Sequence, residues 1–230
     1  MLGWIQWNPR GLPRIRHRIE LLHGMPLCRV EIGGRLSPLL RFLLRREEKL
    51  LRQAGVREGV WGEELPEALQ MHLSPIEVTP LRRAMLPALL EQALRQKRMT
   101  GQTASVRLTA EGTSLPVYWA AQLLARRVRY LHLDTGDGQA ALEDWLLHRY
   151  GLACGGASPA LEVTLRRTGD PSALLLGENC REQAVEYILP PALEGLIPAG
   201  SEGEGLLAAL YRQERLRPGE LSVERIHFRA

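Results

Sequence analysis

Two glycine-containing turns carry the side chains best suited to bind a small molecule. The first is Glu111-Gly112-Thr113-Ser114 and the second is Asp134-Thr135-Gly136-Asp137-Gly138. Each turn follows a predicted strand and precedes a predicted helix, and free N–H groups at the start of a helix attract anions. Asp134 and Asp137 oppose a bare phosphate, so the second turn favours a hydroxyl-bearing or cationic group, or a metal-bridged phosphate.

These two turns define the predicted ligand site. In an open α/β sheet, ligands bind beyond the carboxyl ends of the strands, and neighbouring parallel strands place their following turns at one edge. The predicted ligand-binding residues are Glu111, Gly112, Ser114, Asp134, Gly136, Asp137 and Gly138. The predicted ligand is a small nucleotide-like molecule, and the residues identify neither a cofactor nor a catalytic group.

The second turn resembles the nucleotide loop of a known enzyme family. The run from Leu133 to Gly138 is similar to the D-x-G-x-G loop of class I S-adenosylmethionine-dependent methyltransferases. The resemblance implies that Asp134, Gly136 and Gly138 line the loop, where the glycines let the backbone approach the cofactor. It covers this strand, turn and helix, and Ala140 stands where the family usually has a third glycine.

Other motifs that carry chemistry are incomplete. The chain has no G-x-G-x-x-G run, and Gly33-Gly34 lacks the lysine and hydroxyl residue of a phosphate-binding loop. Cys28, Cys154 and Cys180 form no C-x-x-C pair, and no histidine stands in a recognisable relation to them. No His, Cys and Asp set has zinc-ligand spacing. The sequence therefore assigns no metal site.

Strands and helices alternate after residue 101, and this alternation indicates the fold. The predicted strands are 105–110, 128–133, 161–165, 173–176, 185–189 and 223–228. The predicted helices are 117–127, 139–150 and 206 to about 215. This order is typical of βαβ units. The predicted fold class is α/β, with a mainly parallel Rossmann-like sheet that has helices on both faces.

A small α+β region is predicted to precede this sheet. Arg14–Leu22 and residues 27–32 alternate apolar and polar side chains around a His-Gly-Met-Pro turn, which predicts a β-hairpin. The tryptophans Trp4 and Trp7 are predicted to anchor the terminus. The predicted domains are an N-terminal region of hairpin and two helices, residues 1–100, and a Rossmann-like domain, residues 101–230.

Two helices are predicted in this N-terminal region. The first runs from Pro38 to about Ala54, and its predicted apolar face is Leu39, Leu40, Phe42, Leu43, Leu50 and Leu51. The second runs from residue 81 to about 98 and contains Pro87, which should kink it or move its start. Residues 55–66 and 200–205 are predicted to be loops because they are rich in glycine.

The composition is that of a globular protein, with 45% hydrophobic and 24% charged residues. The net charge is +4, and lysine occurs only at Lys49 and Lys97, so the chain is arginine-rich. Nucleic-acid binding favours clustered positive charge, whereas Glu and Arg are interspersed here. No run reaches the roughly 18 apolar residues of a membrane span. The cysteine pattern favours a reducing cytoplasm. We therefore expect a cytoplasmic protein with neither nucleic acid nor membrane as its partner.

Two classes of function remain. The first is a small-ligand protein, with or without enzymatic activity, whose site lies over both turns; a narrower form of it is a methyltransferase-like protein. The second is a non-catalytic protein-interaction module that uses a Rossmann-like body without a nucleotide. Asp134→Ala separates them, because only the first class predicts that this change abolishes ligand binding with little loss of stability.

Overall fold

A computed structural model describes residues 1–10, 12–156, 158–168 and 170–228, and these ranges contain eleven strands and six α-helices. The strands are β1 (Leu2–Asn8), β2 (Arg14–Leu22), β3 (Met25–Gly33), β4 (Glu58–Trp61), β5 (Ser74–Pro75), β6 (Ser105–Thr109), β7 (Tyr130–Asp134), β8 (Leu161–Thr164), β9 (Leu174–Leu175), β10 (Val185–Ile188) and β11 (Ser222–Ile226). The α-helices are α1 (Pro38–Gln53), α2 (Thr79–Ala84), α3 (Leu86–Gln96), α4 (Leu115–Ala125), α5 (Gln139–Tyr150) and α6 (Gly200–Arg212). Short 3₁₀ helices span Glu67–Leu69, Glu178–Glu182 and Pro218–Glu220.

The chain forms two compact units. The first unit contains residues 1–78 and 189–220, and the second contains residues 79–188 and the chain from 221 onward. The chain thus leaves the second unit after β10 and returns to it for β11. The predicted division into domains 1–100 and 101–230 stays a prediction.

The first unit has a mixed, mostly parallel sheet of five strands in the order β2-β3-β1-β4-β5. The predicted hairpin of β2 and β3 is confirmed, and it supplies the antiparallel pair. Trp4 and Trp7, which are predicted to anchor the terminus, lie in a strand that the sequence did not predict. They belong to β1, which pairs in parallel with β3 and β4, so that Trp4 is only 5% exposed. β4 lies within the segment that was predicted to be a loop, residues 55–66.

Helix α1 follows its prediction in extent but not in its buried face. Ser37 caps it, and the Ser37 hydroxyl accepts a hydrogen bond from the backbone N–H of Leu40. The buried leucines are Leu40, Leu44 and Leu51. Leu39, Phe42 and Leu50 of the predicted apolar face are instead exposed. The reason is that the helix contains more leucines than one face can bury, and tertiary packing selects among them.

The second unit has a parallel sheet of four strands in the order β7-β6-β8-β9. The predicted alternation of strands and helices from β6 to α5 is confirmed. The expectation that the last two strands extend this sheet is wrong, because β10 and β11 form a separate antiparallel pair. Residues 189–220 of the first unit connect β10 to β11 along the chain. The two strands are antiparallel, and each satisfies backbone hydrogen-bonding groups of the other.

Proline and glycine positions explain two helix boundaries. The predicted helix 81–98 is divided at Met85 into α2 and α3, and Pro87 lies in the first turn of α3, where its missing N–H removes no intrahelical bond. Helix α6 begins at Gly200, so the predicted loop 200–205 is wrong. Gly205 packs closely against Val60, so a Cβ atom at position 205 would require the Val60 side chain to move.

The apolar core of the second unit holds the site-bearing strands in place. Its buried side chains include those of Val106, Leu108, Leu124, Leu131, Leu146 and Val163. Buried apolar residues alternate along these strands with polar ones, as Leu131 and Leu133 of β7 alternate with the half-buried His132, so one face of the sheet carries most of this core. None of the helices in the described ranges is long and apolar enough to cross a membrane.

Candidate functional site at the carboxyl edge of the parallel sheet

The two predicted turns lie side by side. β6 and β7 are parallel neighbours, and Thr109 at the end of β6 is opposite Asp134 at the end of β7. The backbone N–H of Ala110 donates to the Asp134 carbonyl oxygen at 3.0 Å, and that of Gly112 donates to the Thr135 carbonyl oxygen at 2.7 Å. Both turns therefore leave the sheet at the same edge and are joined by backbone hydrogen bonds.

A close approach between the turns depends on Gly138. Its φ is +82°, in the left-handed region, and a Cβ atom there would collide with the Thr113 hydroxyl oxygen. Gly136 also has a positive φ, +63°, but open space surrounds it. Asp137 is exposed between these glycines. Gly138 therefore lets the second turn fit against the first.

A cavity of about 500 Å³ opens beside the first turn. Its charged lining residues come from the first turn, from α2, from the residues after β8 and from the 3₁₀ helix: Glu111, Arg83, Arg166, Arg167, Glu178 and Glu182. Ser114 and Asn179 complete its polar lining. A cavity of this volume is within the range of small-ligand sites. Three guanidinium groups beside three carboxylates suit a ligand that carries both an anion and hydroxyl groups.

Two side chains of the first turn, Glu111 and Ser114, line the cavity without binding another described side chain. Ser114 is the N-cap of α4, but its hydroxyl makes no capping hydrogen bond. No hydrogen bond or ion pair joins the Glu111 carboxylate or the Ser114 hydroxyl to another described residue. The start of α4 therefore presents a hydroxyl and a positive helix end to the cavity.

Two residues of the second turn make contacts within the protein. The Asp134 carboxylate accepts a hydrogen bond from the Arg166 guanidinium at 2.8 Å. The Gln139 side chain accepts from the Thr135 backbone N–H at 3.2 Å and donates to Glu143 at 2.8 Å. Of the seven predicted residues, Glu111 and Ser114 line the cavity. Asp134 reaches it through Arg166, and Gly112, Gly136, Asp137 and Gly138 lie beside it.

The 3₁₀ helix Glu178–Glu182 forms the opposite wall of the cavity and is firmly held. The guanidinium of Arg82, which is 1% exposed, donates to the carbonyl oxygens of Cys180 and Gln183. The Thr79 hydroxyl donates to the Gly177 carbonyl oxygen at 3.4 Å. A Cβ atom on Gly177 would collide with the Leu165 carbonyl oxygen, so the wall lies directly against the end of β8. These buried contacts fix the wall before any ligand binds.

Asn179 on this wall has an unusual environment. Its side chain is only 8% exposed, and neither Oδ1 nor Nδ2 has a hydrogen-bond partner among the described residues. Buried side-chain amides are nearly always hydrogen-bonded, so an unpaired amide in a cavity wall needs an explanation. On the same wall side, the Arg83 Nε donates to the Leu176 carbonyl oxygen at 3.2 Å, which orients its guanidinium.

Two of the three cysteines, Cys28 and Cys154, have raised thiol pKa values. Burial raises the pKa of the Cys154 thiol to about 11, and the nearby Glu143 carboxylate adds to the shift. Burial likewise raises the pKa of Cys28. A thiol with a raised pKa is protonated at neutral pH and is a weak nucleophile. Among the described residues, no group of three His, Cys, Asp or Glu side chains is arranged to hold a metal ion.

Sequence reasoning missed most of the cavity. Arg83, Glu178, Asn179 and Glu182 come from segments that adjoin the turns only in the folded unit. Arg166 and Arg167 did carry a signal, because two arginines directly after a buried strand mark the same sheet edge as the two turns. That signal needed the order of the strands, which the sequence alone does not supply.

Comparisons with known proteins give little for this chain. No protein-family model and no curated protein sequence matches it. Among solved structures, the crystal structure of L-tryptophan dehydrogenase from Nostoc punctiforme is similar with a TM-score of 0.31 at 9% sequence identity. The match covers 62% of this chain and 46% of the dehydrogenase, so the chain spans less than half of that protein's length. A likeness of this size carries no argument about fold or function.

Proposed function

We propose that the chain is a small-ligand protein that binds a nucleotide-like molecule in the cavity beside Glu111 and Ser114. The observation that carries the proposal is the cavity itself, in which three arginines, three glutamates and the start of α4 converge at the carboxyl edge of a parallel sheet. Ligands of open α/β sheets bind at this edge. The proposal concerns binding, and it assigns no catalytic residue.

The chemistry of the lining favours a nucleotide over a simple anion. Arginines and a helix start attract a phosphate. Glutamates oppose a bare anion but accept hydrogen bonds from ribose hydroxyls, a role that acidic residues fill in dinucleotide-binding sheets. A Rossmann-like arrangement of the second unit, with helices on both faces of the sheet, belongs to this proposal and is supported by the parallel order β7-β6-β8-β9.

The remaining predicted residues have supporting roles in this proposal. Asp134 orients Arg166 toward the cavity, and Gly136, Asp137 and Gly138 form the turn that braces the first turn. S-adenosylmethionine, the cofactor that the resemblance of the second turn implies, is a narrower candidate for the same site. The contact between Asp134 and Arg166 favours a supporting role over direct contact with a cofactor.

The test is a binding screen of the full chain. Thermal shift and calorimetry would use the 5′-monophosphates of adenosine, guanosine, cytidine and uridine, with NAD and S-adenosylmethionine. A ligand at about a hundred times its dissociation constant should stabilise the fold by roughly 2.7 kcal/mol. We expect a nucleotide to bind and Ser114→Ala to weaken it. The absence of binding by every compound at millimolar concentration would refute the proposal.

A second candidate function is the protein-interaction module. β2 is an edge strand of the first unit's sheet, and it leaves Ile19 67% and Leu21 73% exposed. Exposed apolar residues on an edge strand favour pairing with another chain. Sedimentation of the wild type and of the Ile19→Lys, Leu21→Lys double variant tests this candidate. Self-association that the double variant abolishes would favour it, and a monomeric wild type would leave ligand binding as the better account.

A further inference from the structure

We propose that Asn179 recognises the base of the bound nucleotide by hydrogen bonds from its side-chain amide. This inference rests on the proposed function, because it requires a nucleotide in the cavity. It goes further by assigning one residue of the cavity to the base and the charged residues to the rest of the ligand.

The unpaired amide of Asn179 has an energetic cost. The amide of Asn179 can donate two hydrogen bonds and accept two, and yet it is 8% exposed without a partner among the described residues. A buried polar group without a partner lowers the stability of the folded state. Residues that lower stability in a cavity are characteristic of sites kept for function.

The wall of the cavity holds the backbone of Asn179 in position. The backbone on both sides of Asn179 is fixed, since Gly177 accepts from Thr79 and Cys180 accepts from the buried Arg82. The fixed backbone limits the positions that the amide can reach. The amide is therefore preorganised for a ligand that enters the cavity.

The amide of Asn179 is complementary to the edge of a nucleobase. The amide presents a donor and an acceptor side by side, which matches the edge of a nucleobase; asparagine forms such a pair with N6 and N7 of adenine. The arginines and the Ser114 end of α4 suit the phosphate, and Glu111 suits the ribose hydroxyls. The uncharged donor–acceptor pair of Asn179 is then left for the uncharged part of the ligand.

The test compares a nucleotide with its base-free counterpart. Calorimetry would measure the affinity of the full chain for AMP and for ribose 5-phosphate, in the wild type, in Asn179→Leu and in Ser114→Ala, with the other three nucleoside monophosphates as companions. We expect the wild type to bind AMP at least about tenfold more tightly than ribose 5-phosphate. Asn179→Leu should abolish this preference and leave the affinity for ribose 5-phosphate within about twofold of the wild type. Ser114→Ala should weaken both ligands equally.

The outcomes separate the two proposals. If the wild type binds none of the five compounds and neither NAD nor S-adenosylmethionine, both the proposed function and this inference fail. If it binds every nucleotide no better than ribose 5-phosphate, or if Asn179→Leu keeps the preference, the inference fails and the proposed function stands. An ordered water as the partner of the amide, without contact to the base, would give this second result.

Thermal unfolding distinguishes a ligand-binding role of Asn179 from a structural one. Replacing a residue that serves the ligand should leave the Tm unchanged or raise it, whereas replacing one that holds the wall should lower the Tm. Asn179→Leu keeps the approximate volume of the side chain and removes the unpaired amide, so we expect its Tm to equal or exceed that of the wild type. Asn179→Ala serves as the companion variant with no added bulk. A marked fall in Tm in both variants would mean that the amide holds the wall, and this result would overturn the inference.

Discussion

The two glycine turns of the second unit look alike in sequence but differ in what they contact. Both follow parallel strands, both contain an acid and a glycine of positive φ, and both lead into a helix. In the first turn, Glu111 and Ser114 line the cavity. In the second, Asp134 pairs with Arg166 and the Thr135 backbone is held by Gln139.

The difference shows that acids and glycines mark a sheet edge without specifying which turn meets the ligand. The second turn has more glycines and more acids, and it is the one that resembles a cofactor loop. Its Asp134 carboxylate and Thr135 backbone are nevertheless held within the protein, and the Thr135 hydroxyl is buried without a hydrogen-bond partner among the described residues, whereas Glu111 and Ser114 of the first turn line the cavity. Access to the cavity, rather than the richness of a motif, distinguishes the ligand-facing turn.

The largest expected effect is on the packing of the two turns. Gly138→Ala should lower the free energy of unfolding by about 2–3 kcal/mol, because it combines left-handed strain with a collision at Thr113. Gly136→Ala is the matched control, since its φ is also positive but its surroundings are open. It should cost about 1 kcal/mol. Urea unfolding measures both.

A double variant sharpens this result. Thr113→Ala removes the atoms that the new methyl group would meet, so Gly138→Ala should cost less in that background and approach the Gly136→Ala value. Equal costs for Gly136→Ala and Gly138→Ala in the wild-type background would contradict the close approach between the turns.

The next effect concerns ligand contact. Glu111→Gln keeps the shape of the side chain but removes its charge, and we expect it to weaken AMP binding about tenfold, or about 1.4 kcal/mol, because charged acceptors make the stronger hydrogen bonds. Asp134→Asn should weaken it by about threefold or less, since Asp134 acts through Arg166. Calorimetry checks both values. Tighter AMP binding by Glu111→Gln, or a larger loss of AMP affinity in Asp134→Asn than in Glu111→Gln, would contradict the conclusion that the first turn is the one that contacts the ligand.

The sequence predicted the elements of the second unit better than its site. Buried apolar runs indicate strands and glycine turns mark the starts of helices locally, which is why β8 and α5 begin at their predicted residues. Strand order and the cavity wall depend on contacts between distant segments: Asn179 is placed by Arg82 and Thr79, nearly a hundred positions away. In the first unit, β1 was missed because its burial comes from pairing on both sides with β3 and β4.

A smaller effect is expected at Gln139. Gln139→Ala removes the acceptor for the Thr135 backbone N–H, and Thr135 is fully buried, so the unfolding free energy should fall by about 1 kcal/mol. The affinity for AMP should not change, because this contact supports the second turn alone. Calorimetry and urea unfolding of the same preparation separate the two readouts. A loss of affinity greater than that in Glu111→Gln would place the ligand at the second turn.

The smallest expected effect is the contribution of the Asp134–Arg166 ion pair to the free energy of unfolding. Its side chains are 50% and 36% exposed, so solvent screens the attraction. A double-mutant cycle of Asp134→Asn and Arg166→Met should give a coupling of about 0.5 kcal/mol or less in the free energy of unfolding, which falls further at about 1 M salt. The exposed pair Glu91–Arg95 on α3, at 2.9 Å, is the matched control and should give a similar value. A coupling above about 2 kcal/mol would exceed the range for exposed pairs. It would mean that the pair holds the second turn together, so that Asp134 serves the fold and not the orientation of Arg166 at the cavity.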